Sequence, residues 1–227
     1  MADLEKELGW HKEFDEGVRL MTDVDYLAGV KATLTLPTDY DSPYKASYFN
    51  FYLGMNFTNG LAVEAGISYG NIQGAKLWRV FTNPGLSMPY GRPPGSVELA
   101  LFLTNLGNGS CIPRFLINGT ELACAAAGKL GKIKMVAAIH EDISDTAKRK
   151  TYFNQATFCC TGVLESAIEA HQAYGPASGW KPYSQISGLN WHVQRPPEPM
   201  HKLISCASSA GNNFTITMAK PTPPTGL

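Results

Sequence analysis

Apolar and polar residues alternate through "ASYFNFYLGMNF" (46–57) and again through "LAVEAGISYG" (61–70), with Thr58-Asn59-Gly60 between the two runs. A period of two is the pattern of a strand with one buried face. The two runs therefore read as an antiparallel hairpin, and the loop length decides its register. A two-residue loop at Asn59-Gly60 would pair Phe57 with Ala62 and Met55 with Glu64, mixing core and solvent sides. A three-residue loop pairs Phe57 with Leu61, Met55 with Val63, Leu53 with Ala65 and Phe51 with Ile67. One slip would turn every side chain over, so burial selects the second arrangement. It also places Gly60 where a type I turn with a bulge requires a positive φ.

The same alternation recurs along the chain. Expected strands are 31–36, 46–57, 61–70, 75–82, 96–104, 111–117, 121–127, 132–141, 151–160, 190–194, 202–208 and 213–220. Asn118-Gly119 between two runs is a second hairpin signal. One segment, "GVLESAIEAHQAYG", has Leu164 and Ile168 at helical spacing and Gly175-Pro176 as a stop, so a short helix is expected near 162–174. The acidic N-terminal segment is the other place for a short helix. "NPGLSMPYGRPPG" (83–95) reads as a Pro/Gly-rich surface loop. About a dozen strands with so little helix point to an all-β fold, a two-sheet antiparallel sandwich rather than a barrel. No composition shift marks a boundary. The expectation is one domain over 1–227, with an N-terminal extension at 1–28 and a flexible tail at 221–227.

The favoured register makes the opposite face of the hairpin readable. Gly54 faces Glu64, Tyr52 faces Gly66, Asn50 faces Ser68 and Tyr48 faces Gly70. Glycines opposite tyrosines leave room for each ring to lie across the neighbouring strand. The result is a stripe of Tyr48, Asn50, Tyr52, Asn56, Glu64 and Ser68. Flat rings stack on the apolar faces of sugars while amides and carboxylates bond hydroxyls, so the stripe suits a glycan or polysaccharide. A solvated sheet face with strand-favouring tyrosines has the same pattern. Glycoside hydrolysis would need a second carboxylate about 5–9.5 Å from Glu64. Glu98 is the candidate, because "SVELALFL" puts it opposite Val97, Leu99 and Leu101.

Lysine plus arginine balances aspartate plus glutamate at 19 each, which leaves none of the basic footprint that a nucleic-acid partner requires. No run reaches the ~18 apolar residues of a membrane span. The N-terminus is acidic and mixed, unlike a signal peptide. Four sequons, at Asn56, Asn108, Asn118 and Asn213, are compatible with an extracellular or cell-surface setting. The five cysteines, Cys111, Cys124, Cys159, Cys160 and Cys206, include no CxxC pair. Cys111 and Cys124 bracket a hairpin and are placed for a cross-strand disulfide; otherwise the thiols read as buried apolar groups. "IHED" (139–142) is the one cluster of His with acids, and it lacks a second His at ligand spacing, so neither metal nor cofactor is expected. "NWHVQ" puts Asn190, His192 and Gln194 on one face. Trp78 and Trp191 read as core or rim packing, and Trp180 as partly exposed. No nucleophile elbow or phosphate loop occurs.

The hairpin and the run of long alternating strands resemble concanavalin-A-like sandwiches (jelly rolls), the fold of many lectins, glucanases and some acid peptidases. The resemblance carries no family motif and transfers no catalytic residue. It implies that the polar, gently concave sheet carries the site. Two functions are expected from the stripe: lectin-like carbohydrate binding through Tyr48, Asn50, Tyr52, Glu64 and Ser68, or hydrolysis using Glu64 with Glu98. An interaction protein without a small-molecule site is the third.

Overall fold

A computed structural model describes residues 16–22, 27–36, 48–57, 62–72, 75–83, 85–91, 95–105, 110–122, 124, 128–129, 133–143, 154–165, 179–185, 191–194, 204–209 and 213–218. The strands form two antiparallel sheets. The seven-stranded sheet runs β13 (Trp191–Gln194), β1 (Glu16–Thr22), β11 (Ile133–Ile143), β3 (Tyr48–Phe57), β4 (Ala62–Ile72), β5 (Ala75–Asn83) and β6 (Ser87–Tyr90). The eight-stranded sheet runs β10 (Gly128–Lys129), β8 (Ser110–Ile117), β7 (Ser96–Asn105), β2 (Leu27–Thr35), β12 (Asn154–Glu165), β15 (Asn213–Met218) and β14 (Ile204–Ser209), with β9 (Thr120–Leu122) paired to β8.

The alternation of the sequence becomes the two sides of each sheet. Phe51, Leu53 and Met55 of β3, with Val63, Ala65 and Ile67 of β4, enter the core. From the other sheet come Val30, Ala32 and Leu34 of β2, Val97, Leu99 and Leu101 of β7, and Phe158 and Val163 of β12. The eleven largest fully buried side chains include Phe51, Phe102, Phe115 and Phe158. Each such side chain contributes about 1.5–3 kcal/mol by leaving water, which makes this shared layer the main force holding the sheets together. The expected all-β sandwich is the observed fold.

The β3–β4 register is the one selected by burial: Met55 opposes Val63, Leu53 opposes Ala65 and Phe51 opposes Ile67. The loop residues 58–61 lie outside the described residues. The Asn118-Gly119 turn is also as expected. Both residues have positive φ, 49° and 76°, as a type I′ hairpin requires.

Four expectations are corrected. Residues 162–165, expected to open a helix, instead finish β12, where Val163 and Leu164 are fully buried; 166–174 lie outside the described residues. Burial on a sheet outweighs the weak helical spacing of Leu164 and Ile168. The extension expected at 1–28 holds β1 and the start of β2, with Leu20 and Leu27 in the core. The loop expected at 83–95 contains β6, an edge strand whose Pro89 is tolerated because no further strand needs its missing N–H. Cys124 is outside any disulfide, so the Cys111–Cys124 bridge is not formed; Cys159 and Cys160 are thiols as well. Among the described residues no helix is long and apolar enough to cross a membrane.

Candidate functional site

The hairpin register sends Asn50, Tyr52 and Gly54 of β3, and Glu64, Gly66 and Ser68 of β4, to the outer face of the seven-stranded sheet. The pairing of β4 with β5 adds Asn83 beside Glu64, Phe81 beside Gly66 and Arg79 beside Ser68. Three rows result: Gly54–Glu64–Asn83, Tyr52–Gly66–Phe81 and Asn50–Ser68–Arg79. On the other side of β3 the register positions are Ala137, Ile139 and Glu141 of β11.

The middle row depends on a missing side chain. A Cβ on Gly66 would lie 2.2 Å from the carbonyl oxygen of Phe51 and 2.5 Å from Cα of Tyr52. Only glycine permits that approach of β3 to β4. The Tyr52 ring uses the room to lean over β4. Its centroid is 5.6 Å from that of Phe81 in an edge-on arrangement, and its hydroxyl donates to Oε1 of Glu64 at 3.3 Å. The amide Nδ2 of Asn83 donates to the other oxygen, Oε2, at 3.2 Å. Glu64 is half-buried, and both its oxygens are held by groups from neighbouring strands.

Tyr52 is 1% exposed, and Asn50 and Ser68 are each 8% exposed, although all three lie on the side away from the core. The floor of this face is therefore dry, and its rim is made by half-buried Glu64, Phe81 and Arg79 with exposed Asn83 and Leu77. The Nε of Arg79 is buried and has no hydrogen-bond partner. Burial of a guanidinium donor without a partner is costly, so this atom marks the rim as unfinished.

Of the stripe expected to bind a ligand, Asn50, Tyr52, Glu64 and Ser68 are brought together. Tyr48 stands opposite Gly70 on the same strand pair, and its side chain lies outside the described residues, as does that of Asn56. Glu98 is not part of the stripe. It sits on β7 of the eight-stranded sheet, opposite Thr33 and 3.6 Å from Lys31, between the core residues Val97 and Leu99. Glu64 likewise lies between the core residues Val63 and Ala65, so the two carboxylates point out of opposite faces with the core between them. The Glu64–Glu98 pair is thus corrected. Asn83 and Arg79 are members of this face that the sequence alone did not single out. The alternation Trp78-Arg79-Val80, followed two steps later by Phe81 and Asn83, carried the signal once β5 was paired with β4.

His140, Glu141 and Asp142 lie at the C-terminal end of β11, which runs to Ile143. Among the described residues no group of His, Cys, Asp or Glu could hold a metal ion. Trp180 is half-buried, as expected, and packs edge-on against Phe102 at 5.9 Å. Trp78 is buried and Trp191 packs on Phe214 and Tyr183. Among the described side chains of the outer face, Glu64 is the carboxylate whose two oxygens are both held by hydrogen bonds.

Two solved peptidases share this architecture. SCP-B, a member of the eqolisin family of peptidases solved with the tripeptide Ala-Ile-His, matches with a TM-score of 0.53 at 9% identity over 92% of this chain and 99% of that one. Scytalido-glutamic peptidase, solved with a peptide-based transition-state analogue, matches with a TM-score of 0.51 at 10% identity over the same shares. At such identity the likeness is one of fold: a two-sheet β-sandwich. Both are peptidases, and they lend no support to a specifically lectin-type, concanavalin-A-like identity. No protein-family model and no curated protein sequence matches the chain.

Proposed function

We propose that the outer face of the seven-stranded sheet is a hydrolytic site in which Glu64 acts on an acyl bond, with a peptide as the substrate class. The observation that carries this reading is the Glu64 carboxylate, fixed at both oxygens by the Tyr52 hydroxyl and the Asn83 amide. A glycosidase needs two carboxylates across the sugar. Hydrolysis of a carbonyl needs one base and a donor for the developing oxyanion. Glu64 takes the proton of the attacking water, whose oxygen bonds to the carbonyl carbon. Asn83 turns its amide N–H toward the oxyanion. Collapse of the tetrahedral intermediate breaks the C–N bond, and the proton held by Glu64 passes to the leaving nitrogen. Tyr52, packed under this group and almost fully buried, serves to orient Glu64 rather than to stack on a ligand. The fold likeness to two peptidases supports the same reading.

Incubation with a diverse peptide library, followed by mass spectrometry, tests it. Cleavage by the wild type is expected, with Glu64→Gln slower by about 10²–10⁴-fold, the usual worth of a positioned base. Uncleaved libraries, or full activity in Glu64→Gln, would remove it.

Lectin-like glycan binding is the second reading. It is favoured by the amide and hydroxyl pair Asn50 and Ser68, two rows along the hairpin from Glu64. Glycan-array binding that is lost in Asn50→Ala, without any cleavage, would select it. An extracellular setting fits either reading, since the sequon at Asn118 stands exposed on its turn.

A further inference from the structure

Among its described neighbours Arg79 has no acidic partner, and the acid in its row, Glu141 of β11, stands beyond Ser68 and Asn50. Arg79 alternates with the buried Trp78 and Val80 and so belongs to the outer face. Its lateral neighbours there are Ser68 on β4 and Pro89 on β6, and its neighbours along β5 are Leu77 and Phe81. None is an acid. One more strand across, Asn50 opposes Ser68. The row thus sets a guanidinium, a hydroxyl and an amide side by side, with cross-strand Cβ separations of ~4.5–5.5 Å. Its two inner members are more than nine-tenths buried, and the Nε donor of Arg79 has no partner. A planar fork of N–H donors flanked by hydroxyl and amide donors is complementary to a carboxylate, which accepts at both oxygens.

We propose that Asn50, Ser68 and Arg79 form a subsite for a carboxylate of the substrate, which makes the preferred substrate an acidic peptide. This deepens the hydrolytic reading and rests on it for the word substrate. Ser68 stands four residues from Glu64 along β4, ~13 Å at a strand's rise per residue. A peptide lying extended along β4, with its scissile carbonyl at Glu64, brings the side chain about four residues away over Arg79. The aromatic pair Tyr52 and Phe81 lies between the two points, under the residues that connect them.

The test uses the side-chain Nε–H resonance of Arg79, assigned by its loss in Arg79→Lys and followed in Glu64→Gln protein to prevent turnover. The probes are N-acetylated, C-amidated octapeptides carrying one Glu, the same peptides with Gln, and a neutral peptide with a free C-terminus. A saturating shift with the Glu peptide and none with the Gln peptide is expected. A shift with the free C-terminus instead assigns the carboxylate to the chain end and supports the same subsite. In parallel, active protein should cleave the Glu peptide about tenfold better than the Gln peptide, the size of one charge-assisted hydrogen bond. That ratio should fall toward one in Arg79→Gln, with Arg79→Lys in between.

Equal cleavage of both peptides with an unmoved Nε–H would overturn the subsite and leave hydrolysis standing. A shift without any cleavage would do the reverse. A shift with tri-galacturonic acid but with no peptide would overturn the peptide as substrate.

Discussion

On the outer face of the eight-stranded sheet, Lys31 reaches Glu98 at 3.6 Å and lies over the Trp180 ring at 5.9 Å, Arg114 pairs with Glu121, and the hydroxyls of Thr157 and Thr215 meet at 3.1 Å. On the outer face of the seven-stranded sheet, Asn50 and Ser68 are buried, Glu64 is gripped between a phenol and an amide, and the Nε of Arg79 is without a partner. Both faces grow from the same alternation. The first pairs its charged groups within itself, and the buried atom it leaves without a partner is the neutral hydroxyl of Thr104. The other buries polar groups and keeps a donor in hand. Internal pairing of exposed groups is worth little and suits a surface with no task, whereas leaving a charged donor unpaired in burial costs more than leaving a neutral hydroxyl so. That contrast is the reason for placing function on the seven-stranded sheet.

The steepest way to break the comparison is at the glycines. Gly66→Ala should cost about 3 kcal/mol or more, since the new Cβ meets backbone atoms at 2.2 and 2.5 Å and neither strand can give. On the other sheet, Gly162→Ala has no contact below 3.4 Å and should cost less than about 1 kcal/mol. Urea unfolding of the two variants checks the difference, and equal costs would show that the close approach of β3 to β4 is not demanded.

A smaller effect separates the carboxylates. Tyr52→Phe removes one donor from Glu64 and should destabilise by about 1 kcal/mol, with a larger loss in turnover than in folding. Glu98→Gln and Lys31→Met interrupt a pair that is about one-third to one-half exposed, with side-chain exposures of 44% and 31%. Each should change stability by less than about 0.5–1 kcal/mol and turnover not at all. A marked loss of activity in Glu98→Gln would reverse the assignment of the faces.

The smallest effect is one of pH. Burial pushes the Cys160 thiol up to about 12 and the Cys124 thiol up to about 11. The folded chain then holds protons that the unfolded chain begins to release near pH 9. With more protons on the native state, stability falls as pH rises from about 9 toward 12. Thermal melts should show a lower midpoint at pH 10 than at pH 8. Iodoacetamide at pH 8 should leave both thiols unmodified in the folded protein.

What the sequence revealed was local. The hairpin register followed from alternation, because a one-residue slip would have buried Glu64 and exposed Val63. The Asn118-Gly119 turn followed from backbone sterics. Sheet membership did not follow. Glu64 and Glu98 have the same apolar flanks, and only long-range pairing sends β4 and β7 to different sheets. Arg79 was overlooked for the related reason that its meaning depends on Ser68 and Pro89, neighbours fixed by pairings with β4 and β6. The end of β12 misled because Leu164 and Ile168 satisfy a helical spacing by accident, while a place on a buried sheet decides the matter.

The central claim is that Glu64 does the chemistry on the seven-stranded face and Glu98, on the other face, does none. Turnover of a peptide library by wild type, Glu64→Gln and Glu98→Gln tests it in one experiment. The account predicts a loss of about 10²–10⁴-fold for Glu64→Gln and wild-type rates for Glu98→Gln. Undiminished cleavage by Glu64→Gln, or a comparable loss in Glu98→Gln, would contradict it.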